Sequence, residues 1–205
     1  GLERQLGLIL ERADSTLGDL GWTSGMDTVK SGLMEIRKLT PHIGAEVLGV
    51  DLAQPLSEDT FKTVHDALIE NCVIFFRDQQ LTVEQHKAFG RRFGELAIHP
   101  AAPGLVEGHP EILVIHADEK SKRVAGENWH SDVSCDAEPP MGSILYMHEL
   151  PPVGGDTLFA DQYAAYDDLA DAMKRRIDPL VALHHYGNRD DLDKAFPDNP
   201  VIVGH

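Results

Sequence analysis

Residues 139–159 run Pro139-Pro140-Met141-Gly142-Ser143-Ile144-Leu145-Tyr146-Met147-His148-Glu149-Leu150-Pro151-Pro152-Val153-Gly154-Gly155-Asp156-Thr157-Leu158-Phe159. Two proline pairs bracket a strand over 143–148, and a glycine pair turns the chain into Thr157-Leu158-Phe159. Proline offers no amide hydrogen to a ladder and glycine accepts tight turns, so this passage reads as a short strand cut off from its neighbours. The same punctuation recurs outward. Short strands are predicted over 34–39, 45–50, 72–76 and 111–115 on one side and over 181–185 on the other.

Helices lie mostly early. Ser57, followed by Glu58 and Asp59, caps a helix running to 71. Thr82 with Gln85 three residues on forms a capping box that opens a helix to 93. A further helix opens at Asp161, covers 163–169 and extends towards 176. Many short strands with turn residues between them, and no internal repeat, predict an α+β protein on a jelly-roll core.

Residues 1–33 follow another pattern. Leu2, Leu6, Ile9 and Leu10 have helical spacing, with Arg4, Gln5, Glu11 and Arg12 between them. A glycine-rich stretch (Gly18, Gly21, Gly25, Gly32) follows, and Met34 begins the strand-and-helix alternation. Residues 1–33 are therefore expected to be an extension, either non-native or a helical arm. Residues 34–205 are expected to carry the domain.

The length of 205 residues suits one domain with a substantial core. A net charge of −16, from 18 basic and 34 acidic residues, argues against a nucleic-acid or anionic-membrane surface. Cys72 and Cys135 make no disulfide framework, which fits a reduced, cytoplasmic setting. No apolar run approaches a membrane span, and the start lacks a signal-peptide pattern.

The chemistry concentrates in Trp129-His130-Ser131-Asp132. On an extended backbone, residues two apart face the same way, so His130 and Asp132 can reach one metal ion, with Trp129 as an apolar shield. They make two-thirds of the two-histidine, one-carboxylate triad of non-haem iron oxygenases. The spacing alone is weak. Eleven histidines raise the rate of accidents, and His116-Ala117-Asp118 and His109-Pro110-Glu111 repeat it. His116 and Asp118 leave an apolar strand for a charged loop, and His109 sits in a Gly/Pro loop. His130 has the better setting, against the plain alternative of a surface histidine beside a solvated carboxylate. Gly154-Gly155-Asp156-Thr157 also reads two ways. It is a tight turn, or a close approach to a small ligand whose carboxylate meets the Thr157 hydroxyl.

Taken together, these motifs resemble the taurine dioxygenase family of Fe(II)/2-oxoglutarate oxygenases, which includes the alkylsulfatase and dichlorophenoxyacetate dioxygenases. The resemblance begins at Ile43-Gly44-Ala45-Glu46-Val47 and Gly49-Val50-Asp51-Leu52, and continues through Val73-Ile74-Phe75-Phe76-Arg77-Asp78-Gln79. Phe93-Gly94-Glu95-Leu96, His99-Pro100 and Asn128-Trp129-His130-Ser131-Asp132-Val133-Ser134 follow. It closes with Pro139-Pro140, Leu150-Pro151-Pro152, Gly154-Gly155-Asp156-Thr157-Leu158-Phe159 and Ala164-Ala165-Tyr166.

The resemblance implies a double-stranded β-helix flanked by helices, with His130 and Asp132 as iron ligands. It implies that Thr157 helps hold the far carboxylate of 2-oxoglutarate, that His99 contacts a substrate sulfonate, and that Val133 lies on the substrate side. Two positions depart from the taurine enzyme: Ala102 replaces a tyrosine and Gly126 an asparagine, and neither donates a side-chain hydrogen bond. Taurine is thus disfavoured against sulfonates, alkyl sulfates or aryloxy and carboxylate substrates that are larger or less polar. The implied reaction is hydroxylation coupled to decarboxylation of 2-oxoglutarate to succinate. Its expected partners are a small-molecule substrate and molecular oxygen, within a homo-oligomer.

The family's distal histidine ligand and 2-oxoglutarate-binding arginine lie further downstream than this sequence reaches, so the jelly roll is expected to be incomplete, with exposed strand edges. Two alternatives stay open: an inactive fragment of such an enzyme, and a cupin-like metal hydrolase on a related core.

Overall fold

A computed structural model of the chain describes residues 6–12, 34–99, 105–121, 126, 128–136, 138–182 and 184. They fall into two compact units: Leu6–Leu96 with Ser143–Asp161, and the described parts of Ala97–Gly142 and Gln162–His205.

The first unit is built on a five-stranded sheet. Strands β1 (Leu6–Arg12), β2 (Glu35–Lys38), β3 (Ala45–Leu48), β4 (Val73–Gln79) and β7 (Gly142–Met147) lie in the order β2-β3-β4-β1-β7. β2 runs antiparallel to β3, while β4 is parallel to both β3 and β1. A parallel neighbour requires a crossover, and the 14-residue helix α1 (Glu58–Asn71) supplies it. Side chains alternate along a strand, so the pairing Ala45↔Ile74 puts Ala45, Val47, Ile74 and Phe76 on one face. That face meets Val64, Ala67 and Leu68 of α1, at helical spacing, and Phe89 of α2 (Val83–Arg91) to form the buried core. The Phe76 and Phe89 rings meet edge to face at 5.8 Å.

Both helix starts follow the sequence rules. The Thr60 amide donates to Ser57 Oγ at 3.1 Å, satisfying one of the free first-turn donors. Thr82 and Gln85 form the reciprocal capping box, with the Thr82 amide donating to Gln85 Oε1 at 2.8 Å. Ser57→Ala is expected to cost about 1 kcal/mol, read as a lower urea midpoint at unchanged slope. Gly90 on α2 is closely packed. A Cβ there would lie 2.9 Å from Leu96 Cδ2 and 3.5 Å from Ile144 Cδ1.

The opposite face carries a charge cluster. Arg37 on β2 and Glu46 on β3 are register partners, and the Arg37 guanidinium donates to Glu46 Oε2. Arg77 Nε donates to Oε1 at 2.9 Å, so the 3 %-exposed Glu46 carboxylate is gripped from both sides. Phe75 lies on this face opposite Glu46, and the Phe159 ring meets it edge-on at 6.3 Å.

Where α2 meets β7, His86 lies edge-on to Tyr146 at 5.9 Å, and the Tyr146 hydroxyl donates to the Gln79 carbonyl at 3.1 Å. Burial lowers the His86 pKa; the Ile144 backbone hydrogen bond opposes the shift, and His148, just past the end of β7, adds to it. The native state therefore binds fewer protons at His86 than the unfolded chain does. That contribution is present above the ordinary imidazole value of 6.5 and is lost as pH falls below it. Urea midpoints should fall between about pH 7.5 and about pH 5.5, and His86→Phe should flatten that slope.

Four sequence expectations are corrected. Leu6–Arg12, expected as helix, is strand β1, paired with β4 from Gly7↔Val73 to Leu10↔Phe76. Its run Leu6-Gly7-Leu8-Ile9-Leu10 is continuously apolar, as an interior parallel strand requires, and only incidentally matches a helical period. The strand expected at 111–115 is β6 (His109–Leu113), because the turn at Gly108 pairs it with the two-residue β5 (Leu105–Val106). The helix expected from 163 to 176 is broken into α3 (Gln162–Asp167) and α4 (Asp171–Ile177). Asp167 and Asp168 disfavour the negative end of a helix, whereas Asp171 suits a new N-terminus and Lys174, Arg175 and Arg176 a new C-terminus. Residues 181, 182 and 184 of the strand expected at 181–185 have no strand pairing, and 183 and 185 lie outside the described residues.

Candidate metal centre

His130 and Asp132 belong to the second unit. The backbone is not the extended strand that the spacing suggested. Residues 128–131 are irregular and 132–135 form a turn, in which the Asp136 amide donates to the Val133 carbonyl at 3.1 Å. The side chains still converge, with His130 Nε2 lying 3.2 Å from Asp132 Oδ1. On the far side of the ring, Nδ1 is 2.7 Å from the Asn128 carbonyl oxygen. A carbonyl only accepts, so Nδ1 carries a proton, and Nε2 is the nitrogen turned to the Asp132 side.

An imidazole nitrogen and a carboxylate oxygen 3.2 Å apart can share a cation between them. A proton on Nε2 would make an ion pair. A metal ion fits as well: two donors at a right angle, each about 2.1 Å from a metal, lie about 3 Å apart. The anchored Nδ1–H is the second interaction that metal-bound histidines characteristically make. Gly126 sits against the ring edge at φ +84, where a Cβ would lie 3.5 Å from His130 Cε1, so a side chain there would be strained. Trp129 is 65 % exposed and does not act as the expected shield. Among the described residues, no third His, Cys, Asp or Glu joins the pair.

The competing spacing resolves as a turn. His116 Nε2 is 3.9 Å from Asp118 Oδ2, and its side chain is 71 % exposed. Asp118 Oδ1 instead accepts from Ser121 Oγ at 2.9 Å and from the Lys120 amide at 3.0 Å. Ser121 first, then the Lys120 amide, hold the Asp118 carboxyl below its ordinary pKa. His109 and Glu111 are part of β6 and its hairpin.

The remaining expected site residues are divided between the two units. His99 is half-buried in the second unit, beyond α2. Val133 follows Asp132 directly with φ 50, a left-handed conformation that is an outlier for a β-branched residue. Thr157 is exposed and belongs to the first unit. Its upstream turn is tight: Gly154 and Gly155 both have φ +77, and a Cβ on Gly155 would lie 2.9 Å from Pro151 Cγ. Ala102 lies outside the described residues. Sequence reasoning missed the Asn128 carbonyl and the left-handed Gly126 and Val133. Glycine at 126 was the one visible signal, and only as an absent hydrogen-bond donor.

The α+β sheet of the first unit and the histidine–carboxylate pair of the second suggest a class, and comparison with known proteins narrows it. The model of the taurine catabolism dioxygenase TauD, TfdA family matches residues 35–202. An alkylsulfatase of Acinetobacter baylyi is 37% identical over 152 residues, covering 74% of this chain and 47% of that protein. An alpha-ketoglutarate-dependent sulfate ester dioxygenase of Pseudomonas putida is 32% identical over 166 residues, covering 80% and 53%. The crystal structure of a taurine dioxygenase from Burkholderia xenovorans superposes with a TM-score of 0.62 at 33% identity, covering 75% of this chain and 54% of that one. The chain belongs to the TauD/TfdA family, and its α+β architecture is of that family's jelly-roll class. It spans about half the length of the curated relatives it matches.

Proposed function

We propose that the protein is an Fe(II)/2-oxoglutarate-dependent dioxygenase that hydroxylates a small sulfonate, alkyl sulfate or aryloxy/carboxylate substrate. The observation that carries this reading is the His130–Asp132 pair, 3.2 Å apart with the far ring nitrogen anchored on Asn128. When bound, iron and 2-oxoglutarate supply the oxygen activation that side chains lack. The chain's part is to bind and to aim. His130 and Asp132 hold the metal, and the Thr157 hydroxyl donates to the far carboxylate of 2-oxoglutarate. His99 donates to an anionic substrate group, and Val133 forms an apolar wall beside the metal. Relatives named for alkyl sulfates, sulfate esters and phenoxypropionate support an anionic substrate with an apolar body. Ala102 and Gly126 remove two hydrogen-bonding side chains that a small polar molecule such as taurine would use.

No described helix is long and apolar enough to cross a membrane. We place the protein in the cytoplasm as a homo-oligomer, with no nucleic-acid or membrane partner.

The test is to load the protein with Fe(II) anaerobically, add 2-oxoglutarate and a panel of alkyl sulfates, sulfonates and aryloxy acids, and admit oxygen. Succinate should form in step with oxygen uptake and with one product of the panel. Metal binding without succinate would point to an inactive fragment. Turnover by the zinc form without 2-oxoglutarate would replace the reading with a hydrolase.

A further inference from the structure

We infer that Ser134 and His184 are positioning residues that lock the turn carrying Asp132. Within the second unit, Ser134 Oγ and His184 Nδ1 share a hydrogen bond of 2.9 Å across 50 residues of sequence. The turn needs such a tether. Its internal closure is the bond from the Asp136 amide to the Val133 carbonyl, and Val133 holds φ 50. A β-branched residue keeps that conformation only where its surroundings over-determine it. Asp132 flanks Val133 on one side and Ser134 on the other, so fixing Ser134 limits how far the strained residue can relax and how far the Asp132 carboxylate can swing from His130. Ser134 is half-buried and His184 exposed, so the bond restrains the loop without being part of a core. The two side chains hydrogen-bond to each other. They act through the backbone of the turn, and the consequence for metal holding rests on the reading of His130 and Asp132 as ligands.

Two readouts on the full chain separate the inference from that reading. The first is amide hydrogen exchange across 132–136 in metal-free protein. Ser134→Ala and His184→Ala should each speed exchange there by up to about tenfold, with the urea midpoint nearly unchanged. The double variant should be no worse than either single one, because both remove the same bond. Ser134→Thr, which keeps the hydroxyl, should restore protection. The second readout is Co(II) affinity, followed by its visible absorption. The alanine variants should bind about tenfold more weakly, the low end of what supporting residues contribute. Unchanged exchange in both alanine variants overturns the clamp. Faster exchange in a protein whose wild type takes up no Co(II) supports the clamp and removes the metal reading instead.

Discussion

If His130 and Asp132 hold the metal, Asp132→Ala is expected to lower the affinity of the protein for Fe(II) by more than about a hundredfold, and His130→Ala to do the same. The size follows from the ligand count. Supporting residues that merely orient a ligand cost 10- to 100-fold, roughly, when removed, so deleting a donor atom itself must exceed that range. Asp132→Asn should fall nearly as far, since it keeps the shape but loses the anionic charge. The control is internal. Asp118→Ala deletes the carboxylate of the competing spacing, whose oxygen is already occupied by Ser121 and the Lys120 amide, and should leave metal affinity unchanged. Anaerobic calorimetric titration of the four proteins measures this directly. Equal loss in the Asp118 and Asp132 variants would mean that the metal binds diffusely to an acidic surface rather than at one centre.

Removing both Arg37 and Arg77 is expected to destabilise the fold by about 3–5 kcal/mol, the largest stability effect we predict. Glu46 is 3 % exposed, whereas Arg37 and Arg77 are 58 % and 52 % exposed. With both guanidinium groups gone, a buried carboxylate is left without a counter-charge. Each single arginine variant leaves the other bond intact and, being half in water, should cost only about 1–2 kcal/mol. Glu46→Gln leaves two half-solvated cations instead of a buried anion, so its cost should fall below that of the double arginine variant. Urea unfolding of the four variants gives the ordering. A double arginine variant no worse than either single one would show that water reaches Glu46 and that the cluster contributes little.

Helix starts were legible in the sequence because a cap is settled within one turn. Ser57 reaches the Thr60 amide, and Thr82 and Gln85 reach each other, wherever the rest of the chain goes. Strands 72–76 and 143–148 were legible for a similar reason, since short apolar runs between turn residues have few alternatives. The run at Leu6–Arg12 was not, because five residues of apolar sequence carry no period that separates strand from helix, and the β4 neighbour decides. Glu46 gave no sign of burial. A glutamate on a strand reads as solvent-facing unless two arginines arrive from neighbouring strands.

The same division holds at the site. Residue types and spacing determined the family and nominated His130 and Asp132, because metal chemistry limits which side chains can serve as donors. Tertiary structure sets His130 3.2 Å from Asp132 and His116 3.9 Å from Asp118, and turns His130 Nδ1 to the Asn128 carbonyl. Those outcomes depend on the Asn128 carbonyl, on the turn at Val133 and on the Ser121 hydroxyl, and the backbone path, not residue type, brings each of these groups to its partner.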